Sequence, residues 1–519
     1  MEFIKALKTE LLEDFNESIT ENGAVGYRTS GKALLDLNFA VASLRSASPE
    51  KIIEMFQKAY FEDKLLALKW LFFARDVRGG LGERRLFRIC IQDVALYDPD
   101  IVENLIPLIA EYGRYDDLLC LLDSDALRAN ILGYLCDSLN RDIDNYNNDK
   151  PISLLAKWMP SINTSSEETR KYAKMICSAL NLTERRYRKL LSTLRCYLNV
   201  VEKRMSSKEW TAINYEAVPS RANLIYNNAF LRNDEKRRRT YLSKLEKGEA
   251  KINAAVLYPH DIVSKYFDKS YWGGSVKGYD AALESMWKAL PNTVNGDSKT
   301  IVVADGSGSM TTRIGRTDVT ALDVANGLAI YFAEKLSGEF KDKYITFSER
   351  PQLVDFAHLT SLRDKLMLAL RYNEVANTNI EAVFDLILKT AIDNQMSQSD
   401  IPANVLIISD MEFDDATGSR MFSPWGRTAG AQVDAKLFKQ IEQKYAAAGY
   451  KLPRLVFWNV NSRTGTIPVR QNENGVALVS GFSVNVCKMV MSGKTDPFEC
   501  LLETLNSERY HPIEEAVNA

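Results

Sequence analysis

The sequence predicts a helical repeat domain over residues 1–297, followed by an α/β domain of the doubly wound class over residues 298–519. Three observations predict this. Up to about Leu290 the apolar residues recur at i, i+3 and i+4, the period of amphipathic helices. From about Ser298 short apolar runs alternate with helical runs, the grammar of a mostly parallel sheet. A chain of 519 residues is also too long for one ordinary core.

In the first half, Ser48-Pro49 starts a helix carrying Ile52, Ile53, Phe56, Ala59 and Tyr60. Leu65 to Phe73 is apolar nearly all round and predicts a deeply buried helix, broken by Gly79-Gly80-Leu81-Gly82. Further helices are expected near Ile101–Ala110, Tyr115–Leu122, Ile131–Asn140, Thr169–Asn181, Glu184–Leu198, Arg221–Phe230 and Lys236–Leu245. Successive short helices with short connections indicate an α-solenoid or an irregular repeat array, although no clean sequence period is present.

In the second half, strands are expected at Thr300–Ala304, Lys343–Phe347, Val405–Ile408, Leu455–Val460 and Val476–Val479. Helices are expected at Ala321–Leu336, Leu362–Leu370, Ile380–Ala391, Val433–Ala447 and Pro497–Leu505, the last packing on the sheet or reaching the helical domain. Ligands of such sheets bind outside the carboxyl ends of the strands. Asp305-Gly306-Ser307-Gly308-Ser309 stands there, after the first strand. A carboxylate and two hydroxyls at alternate positions of a tight loop make an oxygen cage for a hard divalent cation. Thr378, before the helix at Ile380, and Asp410, after the strand Val405–Ile408, lie at the same sheet edge. The set Asp305, Ser307, Ser309, Thr378 and Asp410 suits Mg²⁺, which keeps its waters readily; Mn²⁺ or Ca²⁺ would suit the same oxygens.

Composition excludes several classes. With 26% charged residues and a formal net charge of −2, the chain is neither a uniformly basic nucleic-acid binder nor a disordered one. The start is no signal peptide, and no apolar run is long enough to span a membrane. Seven scattered cysteines without a CxxC motif read as reduced thiols of a cytoplasmic protein, and the three histidines show no zinc spacing.

Charge is nevertheless segregated. Residues 89–150 hold 4 Lys and Arg against 13 Asp and Glu, whereas residues 151–251 hold 21 against 10. The plain reading is two solvated helical surfaces; the alternative is a positive face for an anionic polymer. Candidates for that face are Arg185, Arg186, Tyr187, Arg188 and Lys189, where the tyrosine could stack a base, and Lys236, Arg237, Arg238 and Arg239. Arg78, Arg84, Arg85 and Arg88 flank the glycine turn, where Asp76 and Glu83 offer local partners.

The DxSxS motif, the threonine about seventy residues on and the aspartate after the next core strand resemble a von Willebrand factor A domain. The five positions match that family's metal-ion-dependent adhesion site. The resemblance implies that Ser307, Ser309 and often Thr378 contact the metal directly, with Asp305 and Asp410 acting through water. A second resemblance rests on Phe72–Arg84, Leu198–Lys203, Val218–Ala222 and Lys251–Ala254. These segments look like a family that joins a helical domain to a C-terminal von Willebrand A domain. That architecture is similar to the Ro autoantigen, whose TROVE domain is a ring of HEAT-like helical repeats binding misfolded and small structured RNAs.

Enzyme readings are weak. Ser492-Gly493-Lys494-Thr495 resembles the end of a P-loop, but residue 488 is Lys where that loop needs Gly. Gly306-Ser307-Gly308 is out of frame for a nucleophile elbow. Glu412, Asp414 and Asp415 read as a solvated loop. The expectation is therefore a non-catalytic, Ro-like ribonucleoprotein component whose metal site contacts a second ligand. The alternative is a protein-interaction or assembly module whose metal shell is completed by an acidic residue of a partner protein.

Overall fold

The computed structural model describes residues 16–19, 25–268, 275–294, 299–315, 317–347, 350–372, 380–411, 434–462, 476–483, 485 and 496–519. The chain divides into two compact units that are each discontinuous in sequence: Met1–Glu62 with Leu257–Thr504, and Asp63–Val256 with Leu505–Ala519. The expected division at 297/298 therefore falls inside the first unit.

The first unit carries two small antiparallel ribbons, β1 (Glu17–Ile19) with β2 (Val25–Tyr27) and β3 (Phe267–Asp268) with β4 (Ser275–Val276). Its centre is a six-stranded sheet of β5 (Thr300–Asp305), β6 (Lys343–Phe347), β7 (Leu353–Asp355), β8 (Asn404–Ser409), β9 (Arg454–Asn459) and β10 (Val476–Ser480). The spatial order is β10-β9-β8-β5-β6-β7, parallel throughout except for β7. All five predicted strands are present. The three-residue β7, with alternating burial, was too short to be read from hydrophobic pattern. Every residue of β5 is buried, as a central parallel strand requires.

Helices cover this sheet from both ends of the sequence. Ala321–Lys335, started by a capping box between Thr320 and Asp323, packs on β5, β6 and β8. Pro259–Tyr266 packs on that helix in turn, with Gly327 so close that an added Cβ would stand 3.0 Å from the His260 nitrogen. Ala33–Ala40 packs on β10, where Asn459 Nδ2 donates to the Phe39 carbonyl at 2.9 Å and the Ala42 N–H donates to Ser480 Oγ at 3.2 Å. Burial of Ala33–Ala40 on β10 and of Pro259–Tyr266 on the helix Ala321–Lys335 is why residues on either side of the second unit belong to the first.

The second unit is helical. Lys64–Arg75 is capped by Asp63, which accepts from the Leu66 N–H at 2.9 Å, and is buried without a break from Ala67 to Arg75. Helices follow at Arg84–Tyr97, Pro99–Tyr112, Arg128–Asn147, Glu167–Ala179, Glu184–Tyr197, Ser220–Asn233 and Glu235–Glu246. The helix expected over Tyr115–Leu122 is instead two 3₁₀ turns, Tyr115–Asp117 and Leu119–Leu121. Asp117 explains this: its carboxylate accepts from Arg75 and Arg88 and from the Arg114 N–H, which holds the chain in a tighter turn. At the C-terminus, His511–Val517 packs on Pro99–Tyr112 and Lys64–Arg75, so the chain's last residues complete the helical unit.

Candidate functional site

The sheet order makes β5 and β8 the switch point of the first unit. From β5 the chain moves to β6 and β7 on one side, then returns to β8 on the other and continues outward to β9 and β10. The crevice between the carboxyl ends of two such strands is where open α/β sheets bind ligands. Asp305 ends β5 and Ser409 ends β8; the register Ala304 opposite Ile408 brings them side by side.

Asp305 is 2% exposed and Asp410 1% exposed. Ser307 N–H donates to Asp305 Oδ1 at 2.9 Å, a turn typical of a short acidic side chain. Ser409 Oγ donates to Asp305 Oδ2 at 2.6 Å and accepts from the Met411 N–H at 3.0 Å. Met411 is buried and left-handed (φ 63°), so the chain turns sharply just after Asp410. Ser307 Oγ and Ser309 Oγ lie 2.9 Å apart, Ser307 buried and Ser309 half-buried.

These residues fit a hard divalent cation. The donor set is oxygen only, and two carboxylates are taken out of water within one crevice, which is costly unless positive charge or donors compensate. Both oxygens of Asp305 already accept hydrogen bonds, an arrangement suited to a carboxylate that acts through water. Thr378, the Glu412–Asp415 loop and Ser492–Thr495 lie outside the described residues. Ser409 was not assigned a role from the sequence. Its signal was a hydroxyl as the last residue of a run that is otherwise apolar from Val405 to Ile408.

The basic candidates in the helical unit divide sharply. On Glu184–Tyr197, capped by Thr183, the side chains of Tyr187, Leu191 and Leu194 are buried. Tyr187 is fully buried and its hydroxyl donates to the Pro160 carbonyl at 3.0 Å. It therefore cannot stack a base, which corrects the expectation from sequence: it sits on the apolar side of the helix that its neighbours' spacing defines. Burial pushes its hydroxyl above the ordinary tyrosine range. Arg185, Arg186, Arg188 and Lys189 are exposed. Arg195 fixes the helix from within, donating to the Ala156 and Met159 carbonyls at 2.8 Å each.

On Glu235–Glu246 the expectation fails at Arg238, which is fully buried. Its guanidinium donates to Asn227 Oδ1 at 2.9 Å and to Asn223 Oδ1 at 3.2 Å, and lies over the rings of Tyr215, Phe230 and Tyr241. Asn223 and Asn227 are one helical turn apart on Ser220–Asn233, so they meet the same side chain. Arg237 is tied to the Trp210 and Ile213 carbonyls and to Asp234, and Arg239 to Glu235. Lys236 is exposed. Arg88 is likewise engaged, with Asp116 and Asp117.

No described helix is long and apolar enough to cross a membrane. The six described cysteines, Cys90, Cys120, Cys136, Cys177, Cys196 and Cys500, are free thiols.

Family models match along most of the chain. Residues 20–122 and 123–299 match a domain of unknown function, DUF2828, and residues 299–514 match another, DUF7788. An uncharacterized protein of Acanthamoeba polyphaga mimivirus is 30% identical over 541 aligned positions, covering 96% of this chain and 89% of that protein. Among solved structures, the crystal structure of the RO (RSR) protein of Deinococcus radiodurans aligns over 92% of this chain and 91% of its own. Identity there is 13% and the TM-score 0.32, a level at which the likeness carries no inference.

Proposed function

We infer that this chain, which belongs to the family defined by the DUF2828 domain of unknown function, is a non-catalytic binding protein of the Ro type. Its helical unit takes small structured or misfolded RNA in the cytoplasm, and its α/β unit takes a second ligand through a divalent cation. The observation that carries the reading is the pair of buried carboxylates, Asp305 and Asp410, with the Ser307 and Ser309 hydroxyls at the switch point. Ser307, Ser309 and Thr378 would hold the ion, with Asp305 and Asp410 behind them. When bound, a divalent cation offers an electrophilic position to an oxygen of an acidic ligand. The chain's own residues do the rest. Ser409 Oγ and the Ser307 N–H orient the Asp305 carboxylate, and left-handed Met411 turns the chain just after Asp410.

RNA binding is supported by the four exposed cations of the Glu184–Tyr197 helix, Arg185, Arg186, Arg188 and Lys189, on a helix anchored by its opposite side. A second reading, a protein-interaction module working through the metal site alone, is favoured by the burial of Tyr187 and Arg238, which removes two of the nine candidate RNA contacts. The two readings separate on copurification. Protein isolated at low salt should carry an excess of 260 nm absorbance that RNase, and not DNase, removes. A clean protein spectrum would favour the second reading.

A further inference from the structure

We propose that the outward face of the Glu184–Tyr197 helix ends in a pocket for one nucleotide of a single-stranded RNA segment. Its phosphate would sit between Lys189 and Lys203, and its base against Tyr146 or Tyr197. The proposal deepens the RNA reading above and rests on it.

An open surface groove of about 470 Å³ on the helical unit is lined by these four residues with Ser192, Thr193 and Cys196. That volume falls in the range of small-ligand sites, roughly 300–1,000 Å³. Its chemistry is that of a nucleotide: two ammonium groups, two hydroxyls and two aromatic rings. Lys203 Nζ donates to Ser192 Oγ at 3.0 Å, which holds the ammonium over the helix. Lys189 is exposed and has no ion-pair partner among the described residues. The rings of Tyr146 and Tyr197 meet edge to face, 5.1 Å apart at 88°, so at least one of them keeps its faces clear of the other. Tyr197 Oη donates to the Lys150 carbonyl at 3.0 Å, which fixes that ring.

The local sequence builds this pocket. Arg185, Lys189, Ser192 and Cys196 recur at i, i+4, i+7 and i+11, opposite the buried Tyr187, Leu191 and Leu194. After the helix, Asn199 adopts a left-handed conformation (φ 50°), and the Val200 N–H closes on the Arg195 carbonyl at 3.2 Å. This turn starts the short helix Val201–Ser206 and brings Lys203 back to Ser192. The acid of that helix, Glu202, is turned to Tyr226, whose hydroxyl it accepts at 3.3 Å. The Leu198–Lys203 segment thus does more than end a helix: it adds a second cation to the row begun by Arg185 and Lys189. Cations in a row beside half-buried rings with an open face are how sequence-tolerant single-strand sites are built.

Cys196 lines the same groove and is exposed, which supplies a reporter. The experiment uses the full chain and a single-stranded decauridylate as probe, with folding of each variant checked by circular dichroism. Binding is read by anisotropy and Cys196 alkylation by iodoacetamide is read by mass spectrometry. The expected result is loss of alkylation at Cys196 when the decamer is bound. A Lys189→Gln/Lys203→Gln variant should bind about tenfold more weakly. Arg232→Gln, an exposed cation elsewhere in the unit, should leave affinity unchanged. If wild type binds but the double variant keeps its affinity or Cys196 stays equally reactive, the pocket is wrong and the RNA reading survives. If wild type fails to bind at low salt, the RNA reading falls and the pocket with it. If excess AMP alone protects Cys196 as well as the decamer does, the pocket serves free nucleotides and the proposal is overturned.

Discussion

Arg509 closes on Asp76 across 433 residues of sequence. Its Nη2 donates to Oδ1 at 2.7 Å and its Nε to Oδ2, while the Tyr510 hydroxyl reaches Oδ2 at 3.2 Å. Asp76 is fully buried. Tyr112 stacks on Tyr510 with 5.8 Å between centroids, and its hydroxyl donates to the Arg509 carbonyl. The conspicuous segment Phe72–Arg84 is therefore in large part a clasp for the C-terminal residues. An added Cβ at Gly79 would stand 2.6 Å from Arg509 Nε, and one at Gly80 1.9 Å from the Phe73 carbonyl oxygen.

Removing Arg509 leaves a buried carboxylate with hydrogen bonds but no guanidinium. Arg509→Ala should destabilise the helical unit by about 3 kcal/mol in urea unfolding. Gly80→Ala should be worse than Gly79→Ala, because backbone rather than a flexible side chain stands in the way.

The same tail is acid-sensitive. Lys69, nearly buried, donates to Glu514 Oε2 at 2.7 Å, and this hydrogen bond together with the lysine's charge lowers the Glu514 carboxyl below its ordinary value of 4.5. A depressed folded value means the contribution is complete above the unfolded value and is lost as pH falls through the folded one. Asp36 in the other unit has the opposite sign. Burial raises its carboxyl above 3.8 despite donors at Ser30 and Thr29, so its contribution is present below the unfolded value and lost as pH rises through the folded one. Glu514→Gln should flatten the acid limb of the helical unit's stability, measured by urea unfolding from neutral pH downward. Asp36→Asn should leave that limb unchanged.

Buried Arg238 and the exposed arginines of the Glu184–Tyr197 helix should separate fold from function. Arg238→Ala should cost roughly 3 kcal/mol, and Arg238→Lys should not rescue it, since an ammonium cannot replace a planar guanidinium among three rings. Arg185→Ala, Arg186→Ala and Arg188→Ala should each change stability by no more than about 0.5 kcal/mol. Each should nonetheless weaken RNA binding, as read by anisotropy.

At the switch point, Mg²⁺ at 100 times its dissociation constant should add about 2.7 kcal/mol to the stability of the α/β unit, read as a shift in thermal unfolding. Asp305→Ala should abolish that shift. Ser409→Ala should reduce it and should also cost about 1–3 kcal/mol without metal, because the buried Asp305 carboxylate loses one donor.

Most of the secondary structure could be read from hydrophobic period. The strand at Lys343–Phe347 and the helix at Pro497–Leu505 have the limits the pattern gives. The carboxyl-edge placement of Asp305 and Asp410 followed from strand–helix alternation. What could not be read was long-range partnership. The pairing of residues 16–62 and 257–294 with the sheet-bearing unit, and of residues 505–519 with the helical unit, is made by packing and contacts between residues far apart in sequence, such as Asn459 with Phe39 and Arg509 with Asp76. Nor does a run such as Lys236–Arg239 announce which arginine turns inward; Asn223, Asn227 and three aromatic rings decide that from other parts of the chain.

The most direct test of the central claim is RNA affinity against salt concentration for wild type, Asp305→Ala and an Arg185→Ala/Arg186→Ala/Arg188→Ala variant. The account predicts a steep fall of affinity with salt for wild type and the same slope for Asp305→Ala. The arginine variant should have a slope shallower by about one for each phosphate contact removed. A flat dependence for wild type, or loss of RNA binding in folded Asp305→Ala, would contradict it.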